Sequence, residues 1–373
     1  MKKHIVFLMS DTGGGHRAAA EAIAEAIHYL NPDLYKTFLD DIWKDYTPWP
    51  FNKLPGTYPW LTGPGIRVWK LMWSVSNRAR PDKVVFPTVS PVLKKKVIGY
   101  LRQTQPDILV SVHPLMNDIV LRMMRWANLE IPFVTVVTDM VDIHPLWIHP
   151  RVTLCMVPTE PARQAALKYN MPAEKLEVVG QPVALKFANG VADKASLREK
   201  LGLALDRKAI LLVGGGEGFG RIYETARAIA STVSEVQLLV ICGRNKALKQ
   251  QLEQVSWEIP TTVYGFVDNM PELMGSADIL VTKAGPGTIS EAFVARLPLI
   301  LFDYIPGQEA GNVTYVLDNQ VGAFSQDPQE IASLIIKWVQ PGNPILQQMA
   351  ERAGALARPE ASLTIARNIC TLI

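Results

Sequence analysis

The 373 residues are 48% hydrophobic and 20% charged, the make-up of a folded chain long enough for two domains of about 180 residues each; this excludes a disordered protein and a single small core. The net charge is +3, no nucleic-acid partner is expected, and no run of 18 uncharged apolar residues occurs that would suit a spanning helix. Cys155, Cys242 and Cys370 lie far apart without metal-ligand spacing and read as reduced residues of a cytoplasmic protein.

Residues 4–9 form an apolar run that Asp11 interrupts too early for a signal peptide, so the run reads as a strand. Ser10-Asp11-Thr12-Gly13-Gly14-Gly15-His16-Arg17 follows, then an Ala-rich helix over about 18–30. Strand, glycine loop and helix together make the opening unit of a doubly wound α/β domain. The loop is neither a Walker A sequence nor a G-x-G-x-x-G fingerprint, so a nucleotide is not expected on it. After a short strand near 36–39, residues 45–91 hold Trp49, Phe51, Tyr58, Trp60, Trp69 and Trp73 among prolines at 48, 50, 55, 59, 64, 81, 87 and 91. That density of Pro and Gly predicts no continuous helix before about Ile66. A helix over 66–78 then carries Trp69, Met72 and Trp73 on one side, flanked by Arg67, Lys70 and Arg78. Residues 47–105 contain ten basic residues against one acidic one, a local balance of +9. Trp60, Trp69, Trp73 and the run Lys94-Lys95-Lys96 therefore read as a surface for an anionic membrane, with indole rings at headgroup depth. The plainer alternative packs the same aromatics as core.

Strands at 107–113, 133–139, 153–157 and 176–179, with helices at 115–127 and 160–169, complete the first domain. The loop after Asp139 leaves the carboxyl end of a strand, where open α/β sheets bind ligands. Asp139, Asp142, His144 and His149 lie on it, but a proline-broken loop does not give helical i, i+4 ligand spacing, and acceptor contacts are preferred over a metal. Gly180-Gln181-Pro182-Val183 reads as a hinge, giving domains at 1–180 and 181–359. The second series repeats the grammar of the first: a strand at 209–213, the loop Gly214-Gly215-Gly216-Glu217-Gly218-Phe219-Gly220, then strands at 237–242, 261–264, 277–281 and 298–303. A last helix at 360–373 is expected to pack back on the first domain.

Within that series, Val281-Thr282-Lys283-Ala284-Gly285-Pro286-Gly287-Thr288-Ile289-Ser290-Glu291 runs from a buried strand into a helix. Gly285 and Gly287 are expected to turn the backbone so that the amides of Thr288, Ile289 and Ser290 point outward, an anion seat at the positive end of a helix. Glu291 stands where a carboxylate accepts from vicinal hydroxyls such as those of a ribose. Gln308, Glu309 and Asn312 sit at the mouth of the next strand, where sugar hydroxyls would lie. An ordinary capped strand-to-helix turn is the alternative.

Three stretches together resemble the glycosyltransferases of family 28, most closely the monogalactosyldiacylglycerol synthases. They are residues 9–18 with Gly14, Gly15 and His16; Val137-Thr138-Asp139 with His144-Pro145 and Trp147; and Lys283-Ala284-Gly285-Pro286-Gly287-Thr288 with Gln308-Glu309-Ala310-Gly311-Asn312. The resemblance runs from residue 4 to about 323. It implies an α/β protein of GT-B architecture, two Rossmann-like doubly wound domains facing across a cleft, with a UDP-sugar on the second and diacylglycerol on the first. Its implied activity is inverting transfer of galactose from UDP-galactose to 1,2-diacylglycerol, on the inner leaflet of the cell membrane and without a metal. Alongside it, His16 is the candidate base and Asp139 its orienting or charge-stabilising carboxylate. Gly14, Gly15, His144 and Trp147 then serve the acceptor. Gly287 and Thr288 take the diphosphate with Gly214, Gly215 and Gly216 beneath, Lys283, Ala284 and Gly285 in the same loop, and Lys283 or Arg244 as fixed charge. Gly265, Phe266 and Val267 read uracil. UDP-glucose is the rival donor, and a UDP-sugar 2-epimerase of the same fold is the rival enzyme.

Overall fold

The computed structural model describes residues 2–10, 14–47, 49, 51–79, 81–188, 193–218 and 220–373, without the side chains of residues 51, 54, 78, 79 and 81–89. Asp11, Thr12 and Gly13 of the first glycine loop, Phe219 of the second, Pro48, Pro50 and Arg80 lie outside the described residues, as do the side chains of Arg78, Asp82 and Lys83.

The chain divides into two compact units. Unit 1 comprises Met1–Leu185, Pro306–Gly311 and Glu360–Ile373, and unit 2 comprises Lys186–Ile305 and Asn312–Pro359. Unit 1 runs β1 (Lys3–Met9), α1 (Gly15–Leu30), β2 (Tyr35–Asp41), α2 (Ile42–Tyr46), α3 (Leu54–Thr62), α4 (Ile66–Ala79), α5 (Pro81–Thr104), β3 (Ile108–Ser111), α6 (Met116–Ala127), β4 (Phe133–Val136), β5 (Leu154–Val157), α7 (Glu160–Lys168) and β6 (Leu176–Val178). After α8 (Leu185–Ala188), unit 2 runs α9 (Lys194–Leu201), β7 (Lys208–Val213), α10 (Ile222–Thr232), β8 (Val236–Ile241), α11 (Lys246–Glu253), β9 (Thr261–Tyr264), α12 (Met270–Ser276), β10 (Ile279–Lys283), α13 (Pro286–Val294), β11 (Leu299–Asp303), α14 (Ala310–Asp318), β12 (Gly322–Phe324), α15 (Pro328–Val339) and α16 (Ile345–Leu356). The closing helix, α17 (Ala361–Cys370), packs on α1 in unit 1.

Each unit holds one six-stranded parallel sheet, ordered β2-β1-β3-β4-β5-β6 in unit 1 and β12-β11-β10-β7-β8-β9 in unit 2. Helices cover both faces, which is why the strands read as unbroken apolar runs. Alternation survives at atomic level. In β1, Val6 and Leu8 enter the core against α5 and α6, while Ile5, Phe7 and Met9 enter the opposite core with α1 and Ile365 of α17. The strand order fixes where ligands can bind. The chain leaves β1 toward β2 and returns to β3 on the other side, so the loops after β1 and β3 diverge and open a crevice at their carboxyl ends. In unit 2 the same reversal falls between β7 and β10, placing the 214–220 loop beside the 284–287 loop.

The proline-rich excursion departs from expectation. α3 is helical from Leu54 despite Pro55 and Pro59, because a proline in the first turn has no N–H to leave orphaned and Pro59 forfeits a single bond before the helix stops at Gly63. α5, a 24-residue helix, was not foreseen from the sequence at all; it spans Pro87 and Pro91. Cys155 and Cys242 are buried free thiols and Cys370 is half-buried. Among the described residues no helix is long and apolar enough to cross a membrane.

Gly243 locks the turn after β8 to the turn after β7. Its φ is +57°, and a Cβ there would lie 2.4 Å from the Gly216 carbonyl oxygen. Gly243→Ala is therefore expected to cost about 2 kcal/mol or more, read as a lowered urea midpoint, whereas Gly99→Ala, whose Cβ meets open space, should leave the midpoint unchanged or raise it.

Candidate active site

His16 lies in the first turn of α1, at the crevice between β1 and β3, and is 9% exposed. Its Nδ1 is 2.7 Å from the carbonyl oxygen of Val112, the residue after β3, and 3.1 Å from Thr138 Oγ1. A carbonyl only accepts, so Nδ1 carries the proton and Nε2 keeps its lone pair. The ring stacks edge-on against His113 (4.5 Å between centroids) and faces Trp147 at 6.0 Å. Burial holds the His16 pKa down at about 4, with the bond to Val112 working weakly against it. His16 is thus an uncharged base at neutral pH. Gly14 and Gly15, both exposed, begin the same helix.

Asp139 does not bond to His16, contrary to expectation. It accepts from Trp147 Nε1 (2.6 Å) and Gln308 Nε2 (3.3 Å), because the strand end turns its carboxylate toward the 144–147 loop while the Val112 carbonyl already occupies Nδ1. Burial pushes the Asp139 carboxyl up to about 6; its two hydrogen bonds oppose this, and the Glu309 and Asp142 carboxylates add to it. Trp147 is fully buried and His144 is 4% exposed, so neither presents a surface to an acceptor. They brace the site: Trp147 holds Asp139, and His144 accepts from the Leu146 amide through Nδ1 and lies 3.1 Å from Ser76 Oγ through Nε2. Asp142 accepts the Gly311 amide (2.8 Å), and His149 accepts the Arg151 amide, away from the others.

Gln308 and Glu309 were expected with the diphosphate loop. They belong instead to unit 1, where Gln308 Oε1 accepts from Tyr58 and Glu309 is buried. Asn312, in unit 2, is also buried and donates to the Ala284 carbonyl (2.9 Å), so it shapes the loop from behind and does not reach outward.

In unit 2 the β10–β11 register shifts at Thr282/Lys283, immediately before the anion seat. The Ala284 amide donates to the Asp303 carbonyl (2.8 Å) and the Gly285 amide to that of Lys283 (2.8 Å), fixing the approach to α13. The turn needs no left-handed glycine: Gly285 is extended (φ −70°, ψ 131°), and Pro286 opens the helix one residue earlier than expected. Ile289 consequently donates within the helix to Gly285, and the amides left without a helical carbonyl are those of Gly287 and Thr288. A Cβ on Gly287 would meet open space. Around this tip a Cβ on Gly215 would lie 3.5 Å from Lys283 Cε, and one on Gly216 3.4 Å from Arg244 Nη1, so both cations border the glycine loop. Arg244 pairs with Glu217 (2.8 Å) and lies over the Phe266 ring (4.6 Å), which is 62% exposed after β9 together with Gly265 and Val267.

The exposed apolar face of α4 is not the tryptophan face. Trp69 and Trp73 are half-buried and turn onto Pro306 and Gly307, while Val68, Leu71, Met72 and Val75, at i, i+3, i+4 and i+7, stand 46–66% exposed. Trp60 and Lys94, Lys95 and Lys96 are exposed as expected. Among the described residues no group of three or more His, Cys, Asp or Glu is arranged to hold a metal. His113, Tyr58 and Thr138 escaped the sequence reading. The rule that ligands bind where strand order reverses would have found His113, two residues past the end of the strand beside β1.

Glu291 is half-buried on α13, and desolvation raises its pKa to about 7, with Lys186 opposing. A carboxyl raised in the folded state makes stability fall as pH climbs from the unfolded value of 4.5 through 7. Glu291→Gln should therefore match the wild type in urea denaturation near pH 4 and exceed it above pH 7.5, by at most about 3 kcal/mol.

Relatives place this geometry. A family profile described as monogalactosyldiacylglycerol (MGDG) synthase matches residues 16–183, and one described as glycosyltransferase family 28 C-terminal domain matches 209–336. A protein of Glycine max named probable monogalactosyldiacylglycerol synthase, chloroplastic, is 44% identical over all of this chain and 72% of its own length. Monogalactosyldiacylglycerol synthase 1, chloroplastic, of Arabidopsis thaliana is 42% identical over all of this chain and 71% of its own. Among solved structures, MurG of Acinetobacter baumannii superposes with a TM-score of 0.65 at 17% identity over 99% of both chains. The UDP-GlcNAc 2-epimerase of Neisseria meningitidis bound to UDP-GlcNAc does so at 0.61 and 14% identity over the whole of both. Structural likeness at that level shows the GT-B fold alone. With 44% identity along its full length and both halves matched, the chain belongs to the monogalactosyldiacylglycerol synthase family of the family 28 glycosyltransferases.

Proposed function

We infer that the chain is a hexosyltransferase that moves galactose from UDP-galactose to 1,2-diacylglycerol, with inversion at the anomeric carbon. Family membership supports the substrates, and the single observation that carries the chemistry is His16, whose Nδ1–H is committed to a backbone carbonyl and whose Nε2 is left basic. The diacylglycerol hydroxyl attacks C1 of the sugar opposite the UDP oxygen. Its proton passes to His16 Nε2, the C1–O bond to the β-phosphate breaks with its electron pair, and an α-linked donor gives a β-linked product. The amides of Gly287 and Thr288 and the positive end of α13 receive the leaving diphosphate, with Lys283 and Arg244 adding charge, so the charge of the leaving group is met without a metal. Glu291 takes the ribose hydroxyls, Phe266 with its neighbours takes uracil, and Gln308 takes the hexose.

The chain works on an anionic membrane surface, peripheral to the inner leaflet of the cell membrane. The apolar stripe Val68, Leu71, Met72 and Val75 enters the interface, and Arg67, Lys70 and Lys94, Lys95 and Lys96 supply charge, each cation contributing about 1 kcal/mol. A UDP-sugar 2-epimerase shares the fold but needs no such stripe.

Purified protein given labelled UDP-galactose and diacylglycerol vesicles should form glycolipid. His16→Ala should lower kcat at least about a hundredfold with UDP affinity unchanged; turnover retained by this variant, or epimerised free sugar nucleotide as the product, would refute the reading. Because His16 stays neutral down to about pH 4, its ionisation should not depress kcat/KM between pH 5.5 and 7. Leu71→Asp with Val75→Asp should cut co-sedimentation with anionic vesicles by about tenfold or more and spare UDP binding; wild-type pelleting would remove the stripe from the interface.

A further inference from the structure

The segment Pro306–Gly311 is gripped within unit 1 by the two helices of the excursion. Trp69 Nε1–H donates to the Pro306 carbonyl (3.2 Å), and Trp73 lies so close to Gly307 that a Cβ there would fall 2.3 Å from the indole Cδ1. Gly307 also has φ +86°, so glycine is required both for the backbone and for the ring laid against it. Tyr58, on α3, packs edge-on against Trp69 (5.4 Å) and donates its hydroxyl to Gln308 Oε1 (3.2 Å). The other end of that amide, Nε2, donates to Asp139 Oδ1 (3.3 Å). An ionised carboxylate only accepts and cannot face the amide oxygen without repulsion, while the phenol supplies the matching donor. The amide is thereby fixed in one of its two flips, with its remaining N–H and lone pair aimed in set directions.

We propose that Tyr58 is a positioning residue for sugar recognition: it sets the amide orientation of Gln308, and through it the preference between hexoses that differ in the direction of one hydroxyl. This rests on the reading that Gln308 contacts the hexose. An amide held at both ends by protein groups presents one donor and one acceptor to the sugar, and an axial and an equatorial hydroxyl at the same carbon meet that pair differently. Released at Oε1, the amide keeps only its bond to Asp139 Oδ1 and swings about it, so its donor and acceptor are no longer held in set directions and the discrimination falls.

Steady-state kinetics with UDP-galactose and UDP-glucose, and inhibition by UDP, test this. Tyr58→Phe should raise the KM for UDP-galactose about 3- to 10-fold, leave kcat within about twofold, and narrow the galactose-to-glucose ratio of kcat/KM by a similar factor. UDP, which lacks the hexose, should inhibit it as it does the wild type. Trp69→Phe, which removes the bond to Pro306 and shrinks the ring packed against Tyr58, should shift the same two quantities in the same direction. In a Gln308→Ala background Tyr58→Phe should add nothing. A Tyr58→Phe enzyme with unaltered KM and selectivity, where Gln308→Ala alters both, would overturn the proposal, as would equal weakening of UDP and UDP-galactose. If Gln308→Ala changes neither, the hexose contact itself is wrong and the role of Tyr58 goes with it.

Discussion

The hydrogen bond from His16 Nδ1 to the Val112 carbonyl is the constraint on which the chemistry proposed for unit 1 depends. It joins the first turn of α1 to the residue following β3, the two places where the chain diverges at the strand-order reversal. A carboxylate in the same position would also have fixed the tautomer, and would have raised the imidazole pKa as well. A neutral carbonyl fixes the tautomer and leaves the pKa depressed by burial. The consequence is a base that is available at any physiological pH but weak until something stabilises its protonated form.

Carboxyl groups elsewhere follow the same logic with the opposite sign. Asp139 and Glu291 are both raised by burial, one in each unit, and neither has a cation directly bonded to it. Such groups reduce the stability of the free protein at neutral pH, a cost that a domain accepts where a ligand hydroxyl will supply the missing hydrogen bonds. Asp278, by contrast, is flanked by Lys194, Arg198 and Lys208 and is held below the usual carboxylate range, as a purely structural ion cluster would be. The contrast separates carboxylates whose burial is uncompensated from one whose burial is offset by an ion cluster.

The alternating strands and glycine loops were legible because parallel strands buried on both faces leave long apolar runs, and tight turns after them leave glycine. His16 was legible for the same reason, sitting at the end of such a loop. What periodicity cannot report is the direction of a side chain that has a choice of partners. Asp139 follows a strand and precedes a histidine-bearing loop, and only coordinates reveal that Trp147 and Gln308 claim it. Asn312 reads as an outward polar residue in sequence, yet a buried backbone carbonyl at Ala284 needed a donor and took it. The proline-rich excursion misled in another way. Proline disfavours helix interiors by one lost bond each, and tertiary packing recovered more than that across α3 and α5.

Helix α4 shows the same division between its two faces. Positions 69, 73 and 76 fall on one stripe and positions 68, 71, 72 and 75 on another, their mean directions about 117° apart around the axis at about 100° per residue. The first stripe holds Pro306, Gly307 and His144; the second is bare apolar surface. Tryptophan is thus used for its N–H and its flat ring against a glycine, and the smaller aliphatic side chains are left exposed. Indole with its donor satisfied internally has little reason to seek a headgroup, whereas Leu71 and Met72 have no other burial available within the unit. The apolar stripe and the two indoles that contact Pro306 and Gly307 lie on the same helix, so any tilt of α4 at the proposed membrane surface would be felt at Gln308, the residue after Gly307.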